Sequence, residues 1–391
     1  MNIPLTKRVN AIKPSPTLAV TSRARELREQ GKDVIGLGAG EPDFDTPEHI
    51  KQAAIDAIHA GQTKYTAVDG TPELKKAVIE KFRRDNDLEY KPDQILVSSG
   101  AKHSLFNLFV SLVEEGSEVI IPAPYWVSYP DMVTLLGGRP VIVKAGADQH
   151  FKITPDQLEA AITDKTRLLV VNSPSNPTGV MYSEAELEGL AEVLRRHPQV
   201  FVASDDIYEH IQWTHPRFLN LVNVAPDLYD RSVVVNGVSK VYAMTGWRIG
   251  YAAGPKELIA AMKKVQSQST SNAASISQAA SVAALSGDQS CVADMVIEFE
   301  KRGDHVVKRL NKLKGVHALP SDGTFYSFPD CSAVIEATDG VKDDVELGSY
   351  LLDHAEVALV PGSAFGLAGH LRLSYATDMD TLDKALDRLE R

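Results

Sequence analysis

Lys240 follows the apolar run Ser232-Val233-Val234-Val235 and the turn Asn236-Gly237-Val238-Ser239, and Arg248 stands eight residues further on within Thr245-Gly246-Trp247-Arg248-Ile249-Gly250. A short β-branched run ending in Asn-Gly predicts a buried strand that stops at a turn, with Lys240 at the strand's C-terminal end. Open α/β sheets bind ligands in the crevice outside those ends. An amine desolvated there, near other cations, loses its proton well below the reference value of about 10.4 and can attack a carbonyl. A neighbouring guanidinium supplies a fork for a phosphate. Taken alone, such a pair is far more often two surface cations beside a strand, so the surrounding elements must decide.

Those elements alternate. Short apolar runs at Gln94 to Val97, Glu118 to Ile121, Val141 to Lys144, Leu168 to Val171, Val200 to Ala203 and Val233 to Val235 are separated by helical patterns. The alternation predicts an α/β fold with a largely parallel sheet covered on both faces. Residues Ala101 to Leu112 place Leu105, Leu108, Phe109 and Leu112 on one helical stripe behind the glycine-containing start Ser98-Ser99-Gly100, a potential anion site. From Val292 to Leu313 the chain reads as a long charged helix, followed by strand candidates at Gly323 to Phe328, Val357 to Pro361 and His370 to Ser374. That texture predicts a smaller α+β domain. The expected division is an opening segment 1–45 packed with the small domain, a large domain 46–290 and the small domain 291–391. Within the opening segment, Lys13-Pro14-Ser15-Pro16-Thr17 leads into a predicted helix from Thr17 to Gln30.

Composition narrows the classes of function. The 391 residues are 43% hydrophobic and 24% charged, ordinary for a globular chain, and the net charge of −11 disfavours nucleic acid as a partner. Two cysteines, Cys291 and Cys331, are too few for a disulfide framework, and with the eleven histidines they show no metal-ligand spacing. The opening Met1-Asn2-Ile3-Pro4-Leu5-Thr6-Lys7-Arg8 lacks a secretory pattern, and no apolar stretch approaches the roughly 18 residues of a membrane span. The expectation is a cytoplasmic protein without a membrane partner.

In a parallel sheet the clusters after successive strands share one edge. Here they are Gly100-Ala101-Lys102, Pro124-Tyr125-Trp126, Asn176-Pro177-Thr178-Gly179, Asp205-Asp206-Ile207-Tyr208 and Lys240. They supply an anion cradle, an aromatic plate, an amide, a carboxylate with a phenol three residues on, and an amine. Together these suit a flat, phosphorylated, nitrogen-containing aldehyde, pyridoxal phosphate. Lys240 would hold the aldehyde covalently, and Asp205 would keep the ring nitrogen protonated so that the ring draws electrons from the substrate's alpha carbon. Tyr208 and Asn176 could bond the ring oxygen, Trp126 could stack on the ring, and Gly100, Ala101, Lys102, Ser239 and Arg248 could surround the phosphate. Each also has an ordinary structural use: Asp205 as a helix cap, Trp126 as packing, Asn176 to Gly179 as a turn.

Longer motifs occur in a fixed order: Gly38-Ala39-Gly40-Glu41-Pro42-Asp43-Phe44-Asp45-Thr46-Pro47, Pro124-Tyr125-Trp126-Val127-Ser128-Tyr129-Pro130, Asn172-Ser173-Pro174-Ser175-Asn176-Pro177, and Asn236 to Lys240 with Met244 to Gly250. Through them the chain resembles class I pyridoxal-phosphate-dependent aminotransferases of fold type I, in the bacterial aspartate aminotransferase branch that includes bifunctional aspartate/prephenate enzymes. The resemblance implies a large cofactor domain with a mostly parallel seven-stranded sheet and a smaller α+β domain. It makes Lys240 the covalent anchor and the base that moves the substrate's alpha proton. It makes Arg372, in Leu371-Arg372-Leu373-Ser374-Tyr375, the grip on the alpha-carboxylate, with Gly40, Trp126 and Asn176 as further substrate contacts. Tyr65 matches a tyrosine that reaches the phosphate of the neighbouring subunit, which implies a homodimer with shared active sites. Departures are Gly100-Ala101-Lys102 for Gly-Gly-Lys and Gly323-Thr324-Phe325 for Gly-Ala-Phe.

Transfer of an amino group between L-aspartate and 2-oxoglutarate is the expected reaction, with prephenate as a further acceptor. Both dicarboxylates call for a second cation, and the resemblance points to Lys13, with Ser15 and Thr17 as hydroxyl donors. Alternatives are an aromatic or broad-specificity class I aminotransferase and an inactive cofactor-binding sensor. Two other readings fit worse. Ser99-Gly100-Ala101-Lys102 has the Ser-x-x-Lys spacing of penicillin-recognising enzymes, but Met244-Thr245-Gly246 lacks their lysine. Gly36-Leu37-Gly38-Ala39-Gly40 lacks dinucleotide-fold spacing, and Pro42 interrupts the helix that should follow.

Overall fold

The computed structural model describes residues 3–391; Met1 and Asn2 of the opening octapeptide lie outside the described residues. In chain order the strands are β1 (Ile35–Gly36), β2 (Ile95–Ser98), β3 (Glu118–Ala123), β4 (Arg139–Lys144), β5 (Thr166–Asn172), β6 (Phe201–Asp205), β7 (Ser232–Gly237), β8 (Gly250–Ala253), β9 (Tyr326–Ser327), β10 (Val357–Ala358), β11 (Val360–Pro361) and β12 (Leu371–Ser374). Strands β2 to β8 make one sheet in the order β2-β8-β7-β6-β5-β3-β4. From β4 to β7 every neighbouring pair is parallel, whereas β8 runs antiparallel to both β7 and β2.

Both faces of this sheet are buried, which explains why its strands read as unbroken apolar runs. In β7, Val233 and Val235 join Leu105, Leu108 and Phe109 of the helix Ala101–Leu112 on one face. Val234 points the other way, into a core with Leu74, Val78 and Phe82 of the helix Pro72–Asn86. Each buried valine stabilises the fold by roughly 1.5–3 kcal/mol relative to exposure. Such burial offsets the cost of ending β6 on the desolvated carboxylate of Asp205.

A second core contains Phe299 and Val306 of the long helix Ser290–Leu310, together with Leu347, Val357, Leu373 and Leu382. Ile35 and Leu37 from the opening segment enter the same core. Strand β1 pairs in parallel with β10, and β11, β12 and β9 form an antiparallel sheet with β12 in the middle. The predicted helix at Thr17 to Gln30 is Pro16–Glu29, entered through the Ser15 cap. Among the elements that escape the sequence reading are the short helix Lys7–Ala11, β1 and β8. With Gly250-Tyr251-Ala252-Ala253, β8 has little β-branched character and no alternation to show it. Its glycine is required by packing, since a Cβ at Gly250 would lie 2.1 Å from the Ala101 amide nitrogen. Among the described residues, no helix is long and apolar enough to cross a membrane.

Candidate active site

The strand ends open into a cavity of ≈ 460 Å³ lined by Gly40, Ala101, Lys102, Trp126, Asn176, Asp205, Tyr208, Ser239, Lys240, Arg248 and Arg372, with Ser15 and Thr17 at its rim. The turn after β7 delivers Lys240, whose Nζ donates to the Gly40 carbonyl at 2.5 Å and lies 6.0 Å from the Tyr208 ring centroid. Burial pushes the Lys240 ammonium down to about 8; Glu41 opposes the shift, while Arg372 and Arg248 reinforce it. A group held there is substantially unprotonated in mildly basic solution.

Asp205 is the last residue of β6 and is buried. Burial pushes its carboxyl up to about 6, against the hydrogen bond from Tyr129, whose Oη donates to Oδ2 at 2.5 Å. The other oxygen, Oδ1, is buried without a partner. Asn172 fixes the local backbone: its Nδ2 donates to the Asp205 carbonyl at 2.8 Å, and its Oδ1 accepts from the Asn176 amide at 2.9 Å. Beyond Tyr208, Glu209 accepts from Asn86 and Asn236, each at 2.8 Å, and pairs with Lys81. This buried network ties the Asp205 turn to the end of β7, the strand that leads to Lys240. Asp85 and His210 adjoin it, giving the only group of potential metal ligands among the described residues, but Lys81 already neutralises Glu209.

At the opposite end, Gly100 precedes the helix Ala101–Leu112 with φ 91° and no side-chain cap. The Gly100 amide donates to the Ser98 carbonyl at 2.8 Å and that of His103 to the Gly100 carbonyl at 3.0 Å, which leaves the Ala101 and Lys102 amides for an anion. A Cβ at residue 100 would sit 2.5 Å from an Arg248 guanidinium nitrogen, so the glycine admits the arginine to this cradle. Arg248 itself adopts φ 58° and donates to the Thr245 carbonyl at 2.9 Å. Lys102 holds its Nζ 4.9 Å from the Trp126 ring centroid. Burial, aided by Arg248, lowers its pKa. An anion cradle at one end and an unpaired buried carboxylate oxygen at the other fit a phosphorylated ring with a protonated nitrogen. Pyridoxal phosphate is such a group.

Arg372, from β12, is buried and aims into the same space. One guanidinium nitrogen donates to Asn176 Oδ1 at 2.9 Å and another to the Gly38 carbonyl at 2.7 Å, leaving Nε without a partner. Because Asn176 Oδ1 accepts from Arg372, its Nδ2 remains free to donate. The guanidinium lies 4.5 Å from the Tyr326 ring centroid and 4.9 Å from that of Phe365.

Two sequence candidates lie elsewhere in the single chain. Tyr65 is 93% exposed and lines a surface cavity with Asn272, Ser275 and Ile276. Lys13 is exposed and does not line the active-site cavity, although Ser15 and Thr17 do. Ser15 Oγ is engaged as the cap of Pro16–Glu29, accepting from the Leu18 amide at 3.5 Å. Conversely, Tyr129 and Tyr326 line the cavity without having been singled out. The signal for Tyr129 is its place three residues after Trp126 in the first turn of the helix Ser128–Leu135.

The family model described as aminotransferase class I and II matches residues 32–389. The chain is 55% identical over 390 residues to an aspartate/prephenate aminotransferase of Nitrosomonas europaea, covering 98% of each chain. It is 52% identical over 386 residues to an aspartate aminotransferase of Rhizobium meliloti, covering 98% of this chain and 94% of the relative. A crystal structure of the aspartate aminotransferase from Rhizobium meliloti superposes with a TM-score of 0.96 at 51% identity, covering 100% of this chain and 98% of that one. The Thermus thermophilus aspartate aminotransferase with maleate gives a TM-score of 0.94 at 44% identity, with 100% of both chains covered. With a buried amine, an anion cradle and a buried carboxylate in one cavity, and with a match over nearly its whole length, this chain belongs to the class I and II aminotransferase family.

Proposed function

We propose that the chain transfers the amino group of L-aspartate to 2-oxoglutarate, giving oxaloacetate and L-glutamate, and that it also aminates prephenate to L-arogenate. The observation that carries the reading is the convergence of the Lys240 amine, the unpaired Asp205 Oδ1 and the Arg372 guanidinium on one cavity. Pyridoxal phosphate, held by Lys240, Asp205, Tyr208, Asn176, Trp126, Ser239, Arg248, the turn at Gly100 and the amides of Ala101 and Lys102, would supply an electron sink for the substrate's alpha carbon.

The protein's own groups do the rest. Arg372 binds the alpha-carboxylate through the bidentate geometry of a guanidinium and orients the alpha carbon toward Lys240. Lys240, its basicity lowered by burial, takes the alpha proton and returns it on the other side of the reaction. Tyr129 anchors one oxygen of Asp205 and leaves the other for the ring nitrogen. For the distal carboxylate, Lys13 would reach the cavity by movement of the opening segment, which would also exclude water. The names of the relatives, and the dicarboxylate maleate with one of them, support this substrate class. We further propose a homodimer in which Tyr65 reaches the partner's phosphate cradle, and the division 1–45, 46–290 and 291–391, which the two separate cores support.

A panel of amino donors and keto acids that includes prephenate, run on the purified cofactor-loaded protein, tests the assignment. Aspartate and 2-oxoglutarate are expected to be the best pair. Preference for phenylalanine or tyrosine would replace the reading with an aromatic or broad aminotransferase. A yellow protein inactive on every pair would make it a sensor.

A further inference from the structure

We propose that Tyr326 is a positioning residue with two duties: its ring backs the grip of Arg372 on a substrate carboxylate, and its hydroxyl strengthens the hydrogen bond Tyr208 makes with the cofactor. The inference rests on the roles proposed above for Tyr208 and Arg372.

Tyr326 is fully buried and lines the cavity. In the antiparallel pairing of β9 with β12 it lies opposite Ser374, so it shares a sheet face with Arg372, two residues before that serine. The placement lays the Tyr326 ring against the guanidinium, 4.5 Å from centroid to carbon. At the far end of the same ring, the Tyr326 hydroxyl is 2.9 Å from the Tyr208 hydroxyl, and either can donate. Once Tyr208 turns its proton toward an acceptor in the cavity, its oxygen can only accept from Tyr326. A phenol that accepts one hydrogen bond donates a stronger one, because the two bonds polarise each other. The site makes room for this chain of hydroxyls: a Cβ at Gly40 would lie 2.8 Å from the Tyr326 hydroxyl.

The charged and titratable groups around the phenol pair are Arg372 from β12, Asp205 from β6, Lys240 after β7 and Glu41 from the opening segment. Of these, Arg372 alone touches the Tyr326 ring, and a substrate carboxylate arrives there. Ring and hydroxyl thus have separable duties.

The test measures two quantities on the cofactor-loaded protein: the pH midpoint of the bound cofactor's visible absorbance, and the affinity for maleate. Tyr326→Phe keeps the ring and removes the hydroxyl. Its midpoint should rise by ~0.5–1 pH unit, because a weakened Tyr208 donor stabilises the anionic ring oxygen less, while maleate affinity stays within about twofold. Tyr326→Leu should show the same rise and bind maleate ~5–10-fold more weakly, as the cation loses its aromatic face. The double variant Tyr208→Phe/Tyr326→Phe should titrate like Tyr208→Phe alone. A wild-type midpoint for Tyr326→Phe overturns the hydroxyl's duty when Tyr208→Phe does shift. If Tyr208→Phe leaves the midpoint in place, the role of Tyr208 falls and the hydroxyl's duty with it. Equal loss of maleate affinity in the Phe and Leu variants also overturns the division of duties.

Discussion

Along the sheet edge, Asp205, Tyr208, Asn176 and Ser239 are buried; hydrogen bonds from Tyr129 and Asn172 hold Asp205, one from Arg372 holds Asn176, and one with Tyr326 holds Tyr208. In the opening segment, by contrast, the helix Lys7–Ala11 buries no residue, Lys13 is exposed, and Leu18, which lines the cavity, is 68% exposed. The first wall is over-determined and the second has few restraints. Groups that must meet the reacting atoms within a fraction of an ångström need the first kind of support, whereas selection among keto acids can be left to a segment that moves. The contrast predicts large, substrate-independent losses from the sheet edge and small, substrate-dependent ones from the rim.

The largest effect should come from Lys240→Ala. Turnover should fall by at least ~10³-fold with every substrate pair, and borohydride should no longer fix the cofactor to the chain. Retention of a covalently fixed cofactor would assign the anchor to another residue. Next, Asp205→Asn should lower turnover by ~10²-fold without changing substrate preference, measured as kcat with aspartate and with prephenate.

The same variant has a signature in cofactor-free protein. The Asp205 carboxyl rises from 3.8 to about 6 on folding. Between those values the folded chain holds more protons than the unfolded one, so stability is present at the acid end and is lost as pH rises through about 6. Removal of the titrating group should take away up to ~3 kcal/mol of that decline, read from denaturant unfolding at pH 4 and pH 7. An unchanged slope would show that Asp205 is not desolvated in solution.

Arg372→Lys tests the boundary between the two walls. It keeps the charge but loses the fork, so kcat/KM should fall by ~10–100-fold for all amino donors, mainly through KM. The smallest effect is expected at the rim: Lys13→Ala should lower prephenate turnover several-fold more than aspartate turnover, a difference worth ~1 kcal/mol. Equal losses would erase the distinction between the walls.

Legibility followed the same line. The helix Ala101–Leu112 is readable to the residue because its apolar stripe has one period and one glycine start. The strands that lead to Asp205 and Lys240 are readable as apolar runs because both sheet faces are buried, although β6 continues two residues past the expected end at Ala203. Strand β8 is not, because close packing against Ala101 selects small residues there, and small residues look the same in a turn. The partners of Tyr129 and Tyr326 were unreadable for another reason. They lie 76 and 118 positions away, and only the folded register brings a phenol to a carboxylate or to a second phenol. Lys13 is recognisable by its motif, yet its distance from the cavity is a property of the opening segment's placement, which no local pattern encodes.

The bond from Arg372 to the Gly38 carbonyl joins residues 334 positions apart. During synthesis, the strands bearing Asp205 and Lys240 leave the ribosome well before β12, and each region folds as its partners become available. A nascent chain can therefore build the wall that bears Asp205 and Lys240 while Arg372 is still untranslated. The first forty residues must wait for the last thirty to be made before they find their place, and substrate capture is the final competence the polypeptide acquires.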